Sequence, residues 1–320
     1  MRVHRRFSDD FKTEIYSQLY LIRRAEEKVA DIYPTDKIKS PVHLSIGQES
    51  IAVGICTALE EGDPVSGTYR GHATYLARGG SLPGMFAELY GKDTGVARGK
   101  GGSMHLVAMD KMILGTSAVV GSTIPVAVGV AMAQKALKTG KVTVVFFGDG
   151  ATEEGVFYES LNFAALKTLP ILFVCENNGL AIHEPISKRQ AANRLTERVS
   201  TYGIPSVKVE SGDVFDVYGA ASELVAGIRA GGGPAFMECM TYRWREHVGP
   251  GEDYDSGYRT RADLEPWLAA DSLVKLAAEL PAADRTAIEA DIDAQIEAAV
   301  QLAEQSPEPD LQELFSHVYA

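Results

Sequence analysis

The chain has 320 residues, 45% of them hydrophobic and 23% charged, with a formal net charge of -12. That length allows one large α/β domain or two modest ones with ample core, and the composition is that of a soluble globular protein. The acidic balance, without any basic stripe, excludes nucleic acid as a partner, and no apolar run is long enough to span a membrane.

The basic start, Met1–Arg6, leads straight into an amphipathic helix expected over residues 8–32, with no apolar signal region. A second helical pattern covers residues 48–59. Residues 62–102 are rich in glycine and polar side chains, interrupted by a short helix near 83–90, and residues 99–105 read as a flexible turn cluster. The stretch 124–137 is an apolar helix of small residues (Ala127, Gly129, Ala131, Ala133), suited to packing closely against another element or subunit. Apolar runs at 142–147 and 171–174 flank a helical pattern at 153–168, which reads as one βαβ unit with a right-handed crossover.

Further strands are expected at 206–209 and 235–240, with a helix at 214–230 between them and a polar loop at 249–258. From Leu264 onward the pattern is helical, broken near Pro281 and Ser306-Pro307. Strands alternating with helices imply an α/β fold, a parallel sheet with helices on both faces and helical N- and C-terminal extensions. We expect one domain over residues 1–320, with 264–320 as its helical extension. Cys56, Cys175 and Cys239 sit among apolar residues without ligand-like spacing, which points to buried reduced thiols and a cytoplasmic location.

The chemistry is carried by two short motifs. Gly148-Asp149-Gly150 ends the first strand of the βαβ unit, and Cys175-Glu176-Asn177-Asn178 ends the second. Either alone is an ordinary turn sequence. Together they bring a carboxylate and an amide to the carboxyl edge of a parallel sheet, where such sheets bind ligands. One carboxylate, one amide oxygen and nearby carbonyls suit Mg²⁺, which takes its remaining ligands from phosphate and water.

This pairing resembles the signature of thiamine diphosphate enzymes. The runs HLSIGQES (43–50), TYRGHATYLARG (68–79), GKGGSMH (99–105), VVGSTIPVAVG (119–129), GDGATEEGVFYESLNFAALKTLPILFVCENN (148–178), TYRWREH (241–247) and SPEPDLQELFSHVYA (306–320) extend the resemblance over essentially the whole chain. In that order they are similar to the alpha subunit of 2-oxo acid dehydrogenase decarboxylases, the pyruvate, branched-chain and acetoin types.

The resemblance implies a thiamine-diphosphate-binding fold and a set of roles. Asp149 and Asn178 would ligate Mg²⁺ through side-chain oxygens, with the Leu180 carbonyl as a third ligand. Tyr69 and Arg70 would hold the diphosphate, a task that suits a guanidinium fork. Gly150 and Ala151 would offer backbone N–H groups to phosphate at a helix N-terminus. The backbones of Ala118 and Val120 would meet the aminopyrimidine; Ala118 stands where relatives often have Gly or Ser. His43 and His247 match the two active-site histidines, whose ordinary pKa of roughly 6.5 suits proton donation. His72 and His105 lie in matching motifs as structural or supporting groups, and His183 reads as a surface loop residue near the substrate entrance.

The implied activity is decarboxylation of a small 2-oxo acid such as pyruvate, with the acyl unit passed to the lipoyl carrier domain of an acyltransferase. Thiamine enzymes also need a glutamate from a second domain. In the resembled family a beta subunit supplies it, in an α2β2 heterotetramer, so this chain alone is expected to be inactive. The stretch 241–261 departs from relatives that acylate lipoyl groups. Arg245 and Glu246 stand for a histidine and a glycine, and Val248 for a serine through which some relatives are phosphorylated, so that control should be absent. Arg245 and Glu246 either form a loop-holding salt bridge or signal a different substrate or acceptor. The latter leaves open a two-subunit carboligase or ketol transferase acting without CO₂ release; a non-catalytic scaffold is a third possibility, disfavoured by the intact site set.

Overall fold

The structure, a computed structural model, describes residues 7–316. The basic start and the last four residues of the tail motif lie outside them. In chain order the elements are α1 (Asp9–Ile32), α2 (Glu49–Thr57), β1 (Val65–Thr68), α3 (His72–Ala77), α4 (Leu82–Leu89), β2 (Ile113–Ser117), α5 (Thr123–Leu137), β3 (Thr143–Gly148) and α6 (Gly155–Leu166). They continue with β4 (Ile171–Asn177), β5 (Leu180–Ala181), β6 (Glu184–Pro185), α7 (Ile186–Arg189), α8 (Leu195–Ser200), β7 (Ser206–Val209), α9 (Val214–Gly227) and β8 (Ala235–Met240). Three helices close the chain: α10 (Arg261–Ala270), α11 (Ser272–Glu279) and α12 (Ala282–Gln305). Ser8 caps α1, its side chain accepting from the Phe11 N–H.

Six strands form a wholly parallel sheet in the order β2-β1-β3-β4-β8-β7. Its central strands are buried on both faces, which is why β3 and β4 read as continuous apolar runs. Successive side chains serve opposite layers. Val144 and Phe146 join a core with α1, α2, α4, α9 and α12, whereas Val145 and Phe147 pack with α5, α6 and α8. Gly54 allows α2 to lie against α9, since a Cβ there would sit 2.7 Å from Val217 Cγ1. These observations bear out the expected α/β fold with its parallel sheet and terminal helices. Among the described residues no helix is long and apolar enough to cross a membrane.

Besides the two-residue β5 and β6, two strands of the six-stranded sheet were not legible in the pattern. β1 (Val-Ser-Gly-Thr) and β2 (Ile-Leu-Gly-Thr-Ser) carry few bulky apolar groups, and their extended form is imposed by pairing with each other and with β3. Just beyond β1, Gly71 must lack a side chain, since a Cβ there would lie 2.4 Å from Thr116 Cγ2 and 2.8 Å from the Thr68 carbonyl.

The expected flexible cluster at 99–105 is instead held from beneath. Glu88, fully buried, accepts backbone N–H bonds from Ala97 (2.8 Å) and Gly99 (3.0 Å) on Oε2, and from Gly101 (2.7 Å) and Gly102 (3.0 Å) on Oε1. One carboxylate thus satisfies four amides that no strand or helix pairs. Glu88→Ala should destabilise the fold by on the order of 3 kcal/mol or more, because the amides lose their acceptor in a buried setting. Urea unfolding of the two proteins measures the difference, and equal midpoints would refute this role.

Candidate active site

The connections from neighbouring strands β1 and β3 diverge, β1 leading to β2 on one side and β3 to β4 on the other. A parallel sheet opens a crevice at such a reversal. Here it is a cavity of about 310 Å³, walled by Thr68, Tyr69 and Arg70 after β1 and by Gly148–Ala151 after β3, with Asn178 and Leu180 beyond β4.

Asp149 leaves β3 in a tight 3-10 turn and is 1% exposed. Its Oδ2 accepts from Arg189 Nη2, while Oδ1 is buried without a partner. Burial raises the carboxyl pKa above its ordinary value, and the Arg189 charge opposes that rise. Gly150 must lack a side chain because a Cβ would sit 2.9 Å from that of Ala181, where the β5–β6 hairpin folds over the turn. Asn178 donates from Nδ2 to Gln48 Oε1 at 3.0 Å and accepts the Leu180 N–H on Oδ1 at 3.1 Å. Its side chain is therefore oriented from both ends, and the amide oxygen keeps a second lone pair.

Arg70 is buried, with Nη1 donating to the Leu44 carbonyl (2.6 Å) and Nη2 to the His247 carbonyl (3.2 Å). Around it three rings cluster. His43 lies 4.4 Å from Tyr69 and 5.1 Å from His247, and Tyr69 lies 5.7 Å from His247, centroid to centroid. Burial first, then the Arg70 charge, pulls the pKa of His43 down to about 3 and that of His247 to about 4. The expectation of histidines titrating near neutrality is thus corrected: the fold keeps both neutral.

Of the residues expected at the site, Tyr69, Arg70, Val120, Asp149, Gly150, Ala151, Asn178, Leu180 and His247 line the cavity. His43 lies behind Tyr69, and Ala118, half-buried at the end of β2, is not part of the lining. His72 is fully buried between Glu26 (3.0 Å) and Ser103 (2.9 Å), which makes it a tie between α1 and the glycine-rich loop. His105 meets the Thr116 carbonyl at 3.2 Å. His183 is exposed, but its ring stands 6.1 Å from that of His247 and 4.9 Å from that of Tyr258, at the cavity mouth.

Sequence reasoning missed Gln48, Glu176 and Arg243 in the lining and Arg189 behind Asp149. The first three sat inside motifs already recognised; only Arg189 had no signal. Glu176 is buried, and that burial pushes its carboxyl up to about 7 against the opposing charge of Arg70.

The 241–261 loop is built around a buried knot. Arg243, fully buried, donates to the Arg245 carbonyl (2.6 Å), Asp253 (3.1 Å), the Ile182 carbonyl (3.1 Å) and the Tyr258 hydroxyl (2.6 Å). Arg259 grips the same Asp253 and the carbonyls of Arg243 and Arg245. Glu246 accepts the Gly251 N–H (2.8 Å), and Arg245 reaches Glu252 at 4.0 Å. The expected Arg245–Glu246 salt bridge is therefore replaced by two separate contacts, and neither side chain lines the cavity.

Because the fold holds His43 and His247 neutral, its advantage is complete above the unfolded histidine value of roughly 6.5 and is lost as pH falls through the folded values. The melting temperature of the native protein should drop between pH 6.5 and 4 more steeply than that of a His43→Asn/His247→Asn variant. Parallel curves would show that neither imidazole is held this way.

The chain matches the model of the "Dehydrogenase E1 component" family over residues 17–312. It is 39% identical over 310 residues to the alpha subunit of acetoin:2,6-dichlorophenolindophenol oxidoreductase from Bacillus subtilis, covering 95% of this chain and 92% of that protein. The pyruvate dehydrogenase E1 component alpha subunits of Zymomonas mobilis (38% identical; 95% and 87% covered) and Rhizobium meliloti (35%; 98% and 91%) are similar along nearly the same span. The resemblance expected from the motifs is borne out: the chain belongs to the dehydrogenase E1 component family.

Proposed function

We propose that the chain is the alpha subunit of a thiamine-diphosphate-dependent 2-oxo acid dehydrogenase. With a beta subunit it would decarboxylate a 2-oxo acid such as pyruvate and pass the acyl unit to a lipoyl carrier domain. The observation that carries this reading is the convergence of Asp149, Asn178 and Arg70 on one crevice. The spare buried oxygen of Asp149 fits a cation, and Mg²⁺ would be held by Asp149, Asn178 and the Leu180 carbonyl.

The charge balance of the walls supports a metal. Asp149, Glu153, Glu154 and Glu176 face the cavity, with Arg70 and Arg243 in its lining and Arg189 paired to Asp149 and Glu153 behind it. A diphosphate is accommodated among those carboxylates when a divalent cation accompanies it. Tyr69 and Arg70 would bind its oxygens, Gly150 and Ala151 would donate N–H bonds, and the backbones at Ala118 and Val120 would meet the aminopyrimidine. The chemistry that bound thiamine diphosphate supplies is a carbon nucleophile and an electron sink for decarboxylation. The protein's own part is to orient the reactants and to move protons. Neutral His247, in the cavity lining, can donate an N–H bond to the oxygen of the reacting 2-oxo group, with His43 beside it behind Tyr69.

The partnership with a beta subunit, in an α2β2 assembly, is supported by α5. One face of this helix packs into the core through Ile124, Ala127 and Ala131, while Val126, Met132 and Leu137 are 50–74% exposed. Leu166 of α6 adds to the uncovered apolar surface. Cys56, Cys175 and Cys239 are buried free thiols, in keeping with a cytoplasmic location. The carboligase alternative rested on the departure over residues 241–261, and Arg245 and Glu246 within it do not line the cavity.

The test is CO₂ release from a panel of 2-oxo acids by the chain co-expressed with its beta subunit, given thiamine diphosphate and Mg²⁺. Release from one acid, at least about a hundredfold lower in Asp149→Ala and missing when either subunit is left out, is the expected result. Cofactor binding without CO₂ release from any acid would overturn the decarboxylase reading.

A further inference from the structure

We propose that Arg189 is the positioning residue of the cation site, fixing the Asp149 carboxylate so that a single oxygen faces the metal and tying the two metal-binding loops together. This inference rests on the cation site proposed above and assigns a role within it to a residue outside every motif of the chain.

Arg189 ends α7 and is 8% exposed at its side chain. Nε donates to the Glu184 carbonyl at 3.0 Å, Nη1 bonds Glu153 and Nη2 bonds Asp149 Oδ2. All three arms of the guanidinium are thereby committed, which freezes the fork. Asp149 in turn is left with Oδ1, buried and unpartnered, as its one oxygen for a cation. Mg²⁺ takes such single-oxygen carboxylate ligands in a near-ideal octahedron, and a partner on the second oxygen sets the ligand's orientation and basicity.

The same contact spans two loops. Asp149 follows β3, whereas Arg189 belongs to the segment after Asn178, beyond the β5–β6 hairpin that begins at Leu180. That hairpin has only two residues per strand and two pairings, too few to be stable unaided. Its ties to neighbouring segments include the Ile182 carbonyl to Arg243 (3.1 Å), the Leu180 N–H to Asn178 Oδ1 (3.1 Å), Gln190 to Glu153 (3.1 Å) and Arg189 itself. Of these, Arg189 is the one that reaches Asp149, the proposed metal ligand on the other loop. Charge allows it to remain when a metal binds: Asp149 and Glu153 carry two negative charges against one on Arg189, so the group stays attractive to a divalent cation. Arg189 is thus a support for the metal ligand rather than a rival for it.

The test uses the full-length chain co-expressed with its beta subunit, with Mn²⁺ as probe. Free Mn²⁺ is followed by electron paramagnetic resonance in the presence of thiamine diphosphate, for native protein, Arg189→Ala, Arg189→Lys and Asp149→Asn. Arg189→Ala should bind Mn²⁺ at least about tenfold more weakly, and Arg189→Lys, which can reach one carboxylate at a time, should fall between. Amide hydrogen exchange over residues 180–190 should quicken in Arg189→Ala. Mn²⁺ affinity in Arg189→Ala equal to or above native would overturn the inference, the latter showing a competing cation. If Arg189→Ala does not fold, Arg189→Lys with native affinity overturns it equally. Native-like binding by Asp149→Asn would instead remove the cation site itself; loss in Asp149→Asn with no effect at Arg189 would sink the inference alone.

Discussion

Chain connections that part company between β1 and β3 leave a stretch of sheet edge uncovered, and buried charge fills it. Asp149, Glu176 and Arg70 are each less than a tenth exposed, and burying an ion without a partner costs several kcal/mol. Much of the surrounding structure answers that cost. Arg189 covers one oxygen of Asp149, carbonyls of Leu44 and His247 receive Arg70, and Arg70 in turn opposes the raised pKa of Glu176. The loops over the crevice are consequently arranged by electrostatics more than by apolar packing.

The loop bearing His247 shows the same economy. Asp253 gathers Arg243, Arg259 and Tyr258, and both guanidinium groups also donate to backbone carbonyls. Arg23 of α1 lies 4.2 Å over the Trp244 ring and bonds both Glu49 and Asp271. The first helix, the start of α2 and the entry to α11 thereby converge on the residue three positions before His247. Rigid support of this kind is what positions a reacting group, since small displacements cost large factors in rate.

The neutral histidines follow first from burial and then from the same charges. Arg70 is close to both rings, and His247 also feels Arg243. Burial and a cationic neighbourhood both disfavour imidazolium. One arginine therefore acts on both imidazoles, a link that the separate positions of His43, Arg70 and His247 in the chain do not reveal.

Local pattern was enough for much of this protein. The long apolar runs of β3 and β4, the amphipathic α1 and the glycine-acid-glycine and paired-asparagine turns are properties of neighbouring residues, so the α/β sheet and the Asp149–Asn178 pair could be read directly from the sequence. Tertiary structure decided the rest. β1 and β2 became strands because partner strands supplied their hydrogen bonds, and Glu88 ordered a glycine-rich loop from a helix away. Glu246 turned toward Gly251 instead of Arg245, and Arg189 reached Asp149 across 40 positions of chain. Burial and charge pairing between distant segments depend on how the chain folds back on itself, and side-chain spacing along the sequence carries no record of that.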